Sequence, residues 1–506
     1  MQLDRIRFQS YKDKVISAQE AALFFKDKMT IGTSGFTKAG DSKAVLPAFA
    51  ERAKFETIGI TLITGASLGH TTDADLANNN ALYKRMPFQV DATLRKKINE
   101  GKVLFIDQHL SETAELLENK HLPKIDIAVI EATYIDENGN VIPTTSVGNS
   151  ATFAHAADKI IIEINTSIPL EFKGIHDIYI SKSYPNRDVL NITSADERIG
   201  TNYITIDPKK VIGIVFTKIP DSPAQVTAID PKTAAIANHL LAFFENEIKE
   251  GRLTNSLMPL QAGIGKVANA VMSGFAKGNF ENLMMYSEVL QDSTFELFDS
   301  GKLDFASASS ITVSENCYKH ILDNFEKYKD KILLRPQTIS NSAEVIRRLG
   351  VIAINTAIEF DIYGNVNSTH ISGTNMMNGI GGSGDFARNA YLSIFVTQSS
   401  SKEFNAISHV LPMVSHVDHT EHDVDILITE QGIADLRGLA PRERAKVIIE
   451  NCTHPEYKEE LSDYFNRACL RGGHTPHILE EAFQLHSRYI ETGSMKQNCL
   501  VELPLH

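Results

Sequence analysis

Short apolar runs rich in β-branched residues alternate along the chain with amphipathic segments. The runs are typical of buried strands and read TIGITLITG, KVLFID, IDIAVIEA, KIIIEIN, VIGIVFT and DILITEQ. The segments between them have the apolar spacing of helices, as in KAVLPAFAERAKF, ETAELLENK and APRERAKVIIENC. Because continuous apolar strands alternate with helices, the pattern predicts an α/β fold with buried, largely parallel sheets.

One apolar run contains a charged residue. The run NLMMYSEVL predicts a strand and has a single carboxylate, Glu288, near its middle. A carboxylate in a buried strand costs free energy unless it is paired or takes part in chemistry. On this pattern alone, a structural partner of an arginine or a backbone amide is the commoner role, so Glu288 needs support from the rest of the chain.

Two stretches of the chain repeat the same pattern. Asp136 begins DENGNVIPTTSVG and Asp361 begins DIYGNVNSTHISG, and both read D-x-x-G-N-V with a glycine twelve residues after the aspartate. Each follows an apolar run, and the Gly-Asn pair suits a hairpin turn. A second pattern, G-x-S-x-x-F-A-x-x-A, follows both copies, from Gly148 and from Gly381. Although D-x-x-G-N is also common turn chemistry, two matches in the same order predict two related α/β domains.

The predicted join between the domains lies in residues 216–240. Three prolines and small polar residues interrupt the pattern there, before a new helix begins. We expect an N-terminal domain of residues 1–230 and a C-terminal domain of residues 231–506. After Gly472, the segment HILEEAFQLHSRYIE predicts helical packing at the end of the chain.

Composition narrows the class of function. The 506 residues include 50 basic and 63 acidic side chains, a formal net charge of −13, which argues against nucleic acid as a partner. The charged N-terminal stretch lacks a signal-peptide core, and no apolar run reaches the roughly 18 residues of a membrane helix. The four cysteines are Cys317, Cys452, Cys469 and Cys499. No two of them form a CxxC motif, and their spacing does not indicate a set of disulfides. We therefore expect a soluble cytoplasmic protein with no membrane partner.

Two glycine-rich turns precede predicted helices. QAGIGKVANAVMSGF places Gly263 and Gly265 just before a helix that begins near Val267, and NGIGGSGDFARNA places four glycines before another helical run. Glycines let the backbone approach a ligand closely, and helix N-termini offer free N–H groups to anions. Neither turn has the P-loop ending or the full dinucleotide-binding pattern. Each alone fits a tight structural turn as well as a ligand cradle.

Two further patterns suggest other chemistry. A cluster that could bind zinc falls in SHVDHTEHDVD and comprises His416, Asp418, His419, His422 and Asp423. Its strand-like flanks favour a solvated or hydrogen-bonded turn, and we predict no metal site. The sequence GGSGD comes close to the serine-hydrolase elbow, with Ser383 as its nucleophile, but no strand leads directly into it.

Taken together, the motifs resemble those of the acetyl-CoA hydrolase/CoA-transferase family, most closely its succinyl-CoA:acetate type. The similarity spans nearly the whole chain, from TSGFTKAGDSKAVLPAFAERA and TTSVGNSATFAHAADKIIIEIN to QAGIGKVANAV, MYSEVLQDSTFELFDSGKLD, ISNSAEVIRRLG, GTNMMNGIGGSGDFARNA and DILITEQGIADLRG. The resemblance implies two tandem related α/β domains of CoA-transferase type with the active site at their interface. It also implies coenzyme A as a substrate, with no prosthetic group.

The resemblance implies roles for individual residues. Glu288 matches the family's catalytic glutamate, Asn341 and the backbone N–H of Gly382 match donors to an oxyanion, and Glu430 matches a second active-site glutamate. The positions that match CoA contacts are Gly263, Ile264, Gly265, Lys266, Val267, Asn378, Gly382 and Lys402. The expected reaction moves CoA from an acetyl, propionyl or succinyl thioester to acetate or succinate through a glutamyl-CoA thioester. Acetyl-CoA hydrolysis by the same fold is the alternative.

Several properties stay open at this point. The residues that select the carboxylate are expected in the N-terminal domain, around Ser34 to Thr37 and Tyr83 to Phe88, by position alone. A homodimer is the expected assembly because it is the commonest one. The sequence does not decide between particular acyl groups, or between transfer and hydrolysis.

Overall fold

The computed structural model describes residues 3–182, 184–185, 187–225 and 228–497. The strands of the N-terminal part are β1 (Thr30–Thr33), β2 (Ile60–Ile63), β3 (Leu82–Met86), β4 (Leu104–Phe105), β5 (Ile127–Ala132), β6 (Tyr134–Ile135), β7 (Val141–Ile142), β8 (Lys159–Asn165) and β9 (Val211–Thr217). Its helices are α1 (Ala18–Ala22), α2 (Val45–Arg52), α3 (Thr72–Asn78), α4 (Ala92–Asn99), α5 (Thr113–Glu118) and α6 (Ser150–Ala156).

The C-terminal part is larger. Its strands are β10 (Leu260–Ala262), β11 (Leu283–Tyr286), β12 (Val289–Leu290), β13 (Leu303–Ala308), β14 (Ser310–Ile311), β15 (Ile332–Leu334), β16 (Ile352–Thr356), β17 (Glu359–Asp361), β18 (Val366–Asn367), β19 (His370–Ile371), β20 (Asn375–Met376), β21 (Leu392–Val396), β22 (Ser400–Ser401), β23 (Ile407–Ser408), β24 (Val410–Leu411), β25 (Ile426–Thr429) and β26 (Gly432–Asp435). Its helices are α7 (Pro231–Lys249), α8 (Lys266–Lys277), α9 (Asp292–Asp299), α10 (Glu315–Asp323), α11 (Phe325–Tyr328), α12 (Gln337–Ser340), α13 (Ala343–Leu349), α14 (Ser383–Ala387), α15 (Pro441–Cys452), α16 (Pro455–Arg471) and α17 (Gln484–Thr492).

Each part is centred on a parallel sheet, and the two sheets have the same strand order. The first sheet runs β4-β3-β2-β1-β5-β8-β9 and the second runs β15-β13-β11-β10-β16-β21-β25-β26. The extra strand, β26, pairs with β25 in the antiparallel direction. All six residues of β5 are buried, as expected of a strand covered on both faces. The predicted α/β class with parallel sheets is confirmed.

The two D-x-x-G-N-V stretches form equivalent hairpins. The first joins the antiparallel pair β6 and β7, and the second joins β17 and β18. In the first, Oδ1 of Asp136 accepts hydrogen bonds from the backbone N–H groups of Asn138 and Asn140. In the second, Oδ1 of Asp361 accepts them from Tyr363 and Asn365. The same turn follows equivalent strands, β5 and β16, in the two parts, which supports two related domains in tandem.

The two parts share one hydrophobic core. A single cluster of buried residues runs from Ile130 in β5 to Leu260 in β10. Across the junction, the rings of Phe172 and Phe325 stack with centroids 5.0 Å apart. Side chains from both parts are therefore held in fixed positions where the sheets face each other.

The connection between the parts contains the predicted boundary. Strand β9 ends at Thr217 and α7 begins at Pro231. The side chain of Asp230 caps this helix by accepting a hydrogen bond from the N–H of Thr233, 2.8 Å away. Residues 226 and 227 lie outside the described residues. A domain boundary at residue 230 stays a prediction, and helix capping at that position is compatible with it.

The run NLMMYSEVL is not one strand, contrary to its pattern. Strand β11 ends at Tyr286, and Val289 and Leu290 pair separately with β14. Between them, the carbonyl of Glu288 accepts hydrogen bonds from the N–H groups of Ser309 (2.8 Å) and Ser310 (3.1 Å). The chain therefore bends at Glu288, which lies at the carboxyl end of the sheet and not inside it.

The C-terminal segment is helical only in part. Helix α17 begins at Gln484, and the start of the segment before it is bonded to two tyrosines. The hydroxyl of Tyr363 donates to the carbonyl of Pro476, and the N–H of Ile478 donates to the hydroxyl of Tyr464. No helix in the described ranges is both long and apolar enough to cross a membrane.

Candidate active site

The carboxyl ends of both sheets border a cavity of about 170 Å³. Parallel sheets place loop residues together at this edge, which is where α/β proteins bind ligands. The first half contributes Phe36, Thr37, Ala66, Phe88 and Leu110. The second half contributes Gly263, Ile264, Glu288, Val289, Asn355, Thr356, Ser368, Asn378, Gly379, Ile380, Gly381, Gly382 and Ser383. The cavity thus lies between the two domains, the position that the resemblance implies.

Glu288 is the carboxylate of this cavity. Its side chain is partly buried, and its Oε1 accepts a hydrogen bond of 2.7 Å from Nδ2 of Asn341. Burial raises the pKa of Glu288 to about 7, against the opposing effect of the Asn341 hydrogen bond. Near neutral pH, both the ionised and the protonated forms of Glu288 are therefore populated, as is typical of carboxylates with a chemical role.

Asn341 is fully buried at the end of α12. The hydroxyl of Ser340 donates a hydrogen bond of 2.8 Å to its amide oxygen. Its amide nitrogen has two acceptors, Glu288 at 2.7 Å and Oδ2 of Asp385 at 3.1 Å. These three contacts agree on one orientation of the amide, with its nitrogen toward the carboxylates.

The glycine turn before α14 packs directly against Glu288. A Cβ at Gly382 would lie 1.8 Å from Oε1 of Glu288 and 2.4 Å from Nδ2 of Asn341. Only glycine leaves room at this position for both side chains. On its far side the turn is held by the first domain, since Oδ1 of Asp107 accepts from the N–H of Ile380 at 2.8 Å.

Other predicted positions are divided between this cavity and its surroundings. Gly263, Ile264 and Asn378 line the cavity with Glu288. Helix α8 begins at Lys266, directly after Gly265. Lys266 forms an ion pair of 2.6 Å with Asp230, and the side chain of Val267 is buried in the core.

Lys402 and Glu430 lie away from the cavity walls. Lys402 contacts Tyr489 and lines a separate cavity of about 320 Å³. Glu430 accepts hydrogen bonds of 2.7 Å from both the N–H and the hydroxyl of Ser399, and Lys232 lies 3.6 Å from it. Glu430 directly follows β25, so it shares the carboxyl edge of the second sheet with Glu288.

In the serine-hydrolase-like turn and the histidine-rich cluster, the side chains make hydrogen bonds within the fold. The hydroxyl of Ser383 donates to the carbonyl of Ile380 at 2.7 Å, and Nε2 of His419 lies 3.2 Å from it. Nδ1 of His419 is buried without a partner, so no acid orients this histidine as a triad requires. Among the described residues, no group of three or more His, Cys, Asp or Glu side chains is arranged to hold a metal ion.

Some residues of the cavity wall and one nearby carboxylate were not predicted from the sequence. Phe36, Thr37 and Phe88 fall within the two stretches expected to select the carboxylate, whereas Ala66 and Leu110 carry no signal in the sequence. Asp385 is buried and accepts from the hydroxyl of Ser111 (2.6 Å) as well as from Asn341. Its position in the shared G-x-S-x-x-F-A pattern gives only a loop before a helix, so no local feature distinguishes it.

Comparisons with known sequences agree with this architecture. The acetyl-CoA hydrolase/transferase N-terminal domain matches residues 1–216, and the acetyl-CoA hydrolase/transferase C-terminal domain matches residues 317–465. The chain is 48% identical to a succinyl-CoA:acetate CoA-transferase of Clostridium kluyveri, over 97% of this chain and 92% of that protein. It is 46% identical to a propanoyl-CoA:succinate CoA transferase of Escherichia coli, over 95% of this chain and 98% of that protein. It is 44% identical to an acetyl-CoA hydrolase of Candida albicans, over 97% of each.

A solved structure has the same fold. RipA from Yersinia pestis superposes with a TM-score of 0.71 at 22% identity, over 91% of this chain and 98% of RipA. At this identity the likeness concerns the arrangement of helices and strands. The predicted two-domain architecture is confirmed by the sequence and structural matches together.

Proposed function

The chain belongs to the acetyl-CoA hydrolase/transferase family, and from that premise we propose that it moves CoA between a short acyl-CoA and a carboxylate through Glu288. It is an enzyme, a CoA-transferase. Acetyl-, propionyl- and succinyl-CoA are the proposed donors, and acetate and succinate are the proposed acceptors. The single observation that carries the proposal is an ionisable carboxylate, Glu288, beside a fixed amide in a cavity between two domains.

The proposed reaction conserves the energy of the thioester. Ionised Glu288 attacks the acyl-CoA carbonyl, the C–S bond breaks, and an acyl-glutamyl anhydride and CoA thiolate result. The thiolate then attacks the glutamyl carbonyl and releases the acyl group as a carboxylate, which leaves a glutamyl-CoA thioester. The acceptor carboxylate reverses both steps. A serine nucleophile would form an ordinary ester and lose most of this activation.

Two donors are proposed for the developing oxyanions, the Nδ2 amide of Asn341 and the backbone N–H of Gly382. The Asn341 nitrogen lies 2.7 Å from Oε1 of Glu288, within the range for a donor to an oxyanion. That oxygen becomes the carbonyl oxygen of the glutamyl thioester. The apolar walls formed by Phe36, Phe88 and Val289 support the proposal because they limit the access of water to the activated intermediates.

The proposed CoA-contacting residues come from both sides of the glycine turns. Gly263, Ile264 and Asn378 line the cavity beside Glu288, where they would contact the pantetheine arm. Gly265, Lys266 and Val267 continue the same turn into α8 and complete the proposed CoA-contacting segment. Lys402, with its positive charge, would meet a phosphate of CoA in the neighbouring cavity. We also propose Glu430 as a second active-site glutamate, which would act by way of its contacts with Ser399 and Lys232. We propose no metal and no prosthetic group.

The pH dependence of the reaction follows from the raised pKa of Glu288. Because the nucleophile is the ionised form and its pKa is about 7, kcat/KM should fall about tenfold for each pH unit below 7 and level off above it. Exchange rates measured from pH 5 to pH 9 at fixed total acceptor test this, with CoA binding measured at each pH as the control. A flat profile down to pH 5 would contradict the assignment.

The hydrolase alternative is favoured by relatives such as the Candida albicans acetyl-CoA hydrolase. Adding acetyl-CoA with and without succinate separates the two reactions. Transfer predicts that succinyl-CoA forms and that little free thiol is released. If succinate left thiol release unchanged and no new acyl-CoA appeared, hydrolysis would be the reaction. A matrix of acyl-CoA donors and carboxylate acceptors then identifies the preferred pair.

Two further proposals concern assembly and location. We propose a homodimer, the commonest assembly among soluble homo-oligomers, to be measured by analytical ultracentrifugation. We also propose a cytoplasmic location, supported by the free thiols of Cys317, Cys452 and Cys469. Cys499 lies outside the described residues.

A further inference from the structure

The amino group of Asn341 is shared by two carboxylates of different origin. One N–H faces Glu288 and the other faces Asp385, at 2.7 Å and 3.1 Å. An amide nitrogen has only two hydrogens to donate, so both are occupied. Ser340 donates to the amide oxygen on the other side. The amide plane is therefore held at both of its polar ends.

Asp385 is itself held by the opposite domain. Its Oδ1 accepts a hydrogen bond of 2.6 Å from the hydroxyl of Ser111, and its Oδ2 accepts one of 3.2 Å from the N–H of Ser111. Ser111 belongs to the N-terminal half, whereas Asp385 and Asn341 belong to the C-terminal half. The chain of contacts from Ser111 through Asp385 to Asn341 thus connects the two domains at Glu288.

Asp385 is also a second buried carboxyl group beside Glu288. Burial raises its pKa well above the usual value for an aspartate, and the negative charge of Glu288 raises it further. The hydrogen bonds from Ser111 and Asn341 and the charge of His109 oppose the shift. Charged side chains also border the cavity of about 400 Å³ behind it, and they are Glu112, Arg347, Arg388 and Asp423. Because the interaction of two charges is mutual, the charge on Asp385 disfavours ionisation of Glu288.

We propose that Asp385 is a positioning residue that holds one N–H of Asn341, so that the other N–H points at the reacting carbonyl oxygen of Glu288. This inference rests on the proposed transferase function. Without Asp385, the amide nitrogen would lose one of its two acceptors, and the N–H that remains bonded to Glu288 would shift from its position beside the oxyanion. A displacement of about 1 Å at such a group can cost about 100-fold in rate.

The test uses two substitutions of Asp385. Asp385→Ala removes both the acceptor and the charge, and we expect kcat to fall about 10- to 100-fold while KM for acyl-CoA changes less than about twofold. Asp385→Asn keeps one acceptor for Asn341 and removes the charge. We expect it to lose less activity and to shift the acid limb of the kcat/KM profile to lower pH, because Glu288 ionises more easily.

Asp423→Asn is the matched control, because Asp423 borders the same cavity without contacting Asn341. It should leave both kcat and the pH profile unchanged. A residue with only a structural role would lower the amount of folded enzyme without moving the acid limb. Should the alanine variant fail to fold, the asparagine variant decides: an unshifted acid limb with wild-type kcat overturns the inference. Absence of transfer by the unaltered enzyme would instead refute the proposed function.

Discussion

Replacement of Glu288 by alanine should lower kcat for CoA transfer by about 10⁴-fold or more, while CoA still binds. In the proposed mechanism Glu288 forms both covalent intermediates, and no other residue in the described cavity wall is a carboxylate. Glu288→Gln should be equally inactive, because an amide does not attack a thioester. Transfer is measured by the acyl exchange assay and CoA binding by calorimetry.

The matched control is Glu281→Gln, at an exposed glutamate shortly before the same strand. It should retain wild-type turnover. Borohydride treatment after addition of acyl-CoA should reduce the glutamyl thioester and mark one residue for mass spectrometry. A mark at any position other than 288, or near-normal turnover of Glu288→Ala, would show that another group is the nucleophile.

Gly382→Ala should lower kcat about 100- to 1000-fold, the usual cost of losing one oxyanion donor. The added methyl group would lie 1.8 Å from Oε1 of Glu288, so the carboxylate must move away from Asn341. Both the nucleophile and its hydrogen-bond donor are displaced by one substitution. Because the effect falls on the reacting groups, we expect kcat to change more than the affinity for CoA.

Gly301→Ala is a control for the substitution itself. Gly301 has a φ of +70°, with nothing within 4 Å of an added Cβ, so alanine there strains the backbone by about 1–2 kcal/mol without touching the cavity. It should lower the thermal midpoint slightly and leave kcat unchanged. Wild-type kcat in Gly382→Ala would mean that the close contact with Glu288 has no role in the reaction.

The inner strands β5, β8 and β25 were predictable from sequence because they are buried on both faces and their sequences are almost continuously apolar. The D-x-x-G-N-V repeat also identified both hairpins, since the turn depends on hydrogen bonds that nearby backbone N–H groups donate to Asp136 and Asp361. Where the apolar pattern predicted the wrong element, the backbone makes hydrogen bonds to residues elsewhere in the chain. At the break at Glu288, the carbonyl of that residue accepts hydrogen bonds from Ser309 and Ser310. Before α17, the backbone of Pro476 and Ile478 is bonded to Tyr363 and Tyr464.

The cavity was predictable only where one stretch of sequence carries its own signal. Glu288 interrupts an apolar run, and the glycine turns precede helices, so both are visible locally. Asp385 is not, because its importance comes from Ser111, which is 274 residues away in the chain. The same holds for Leu110 and Ala66, apolar residues whose place in the wall results from the packing of two domains.

The two sheets have the same strand order, so positions at their carboxyl edges can be compared directly. Glu288 lies two residues after the end of β11. Gly65 lies two residues after the end of β2, the corresponding strand of the first sheet. A Cβ at Gly65 would lie 2.4 Å from the carbonyl oxygen of Gly35, so no acidic side chain fits there. The duplicated frame is thus asymmetric at this edge: the second domain places a carboxylate there, whereas the first domain has room only for glycine, so the proposed chemistry would belong to one of the two copies.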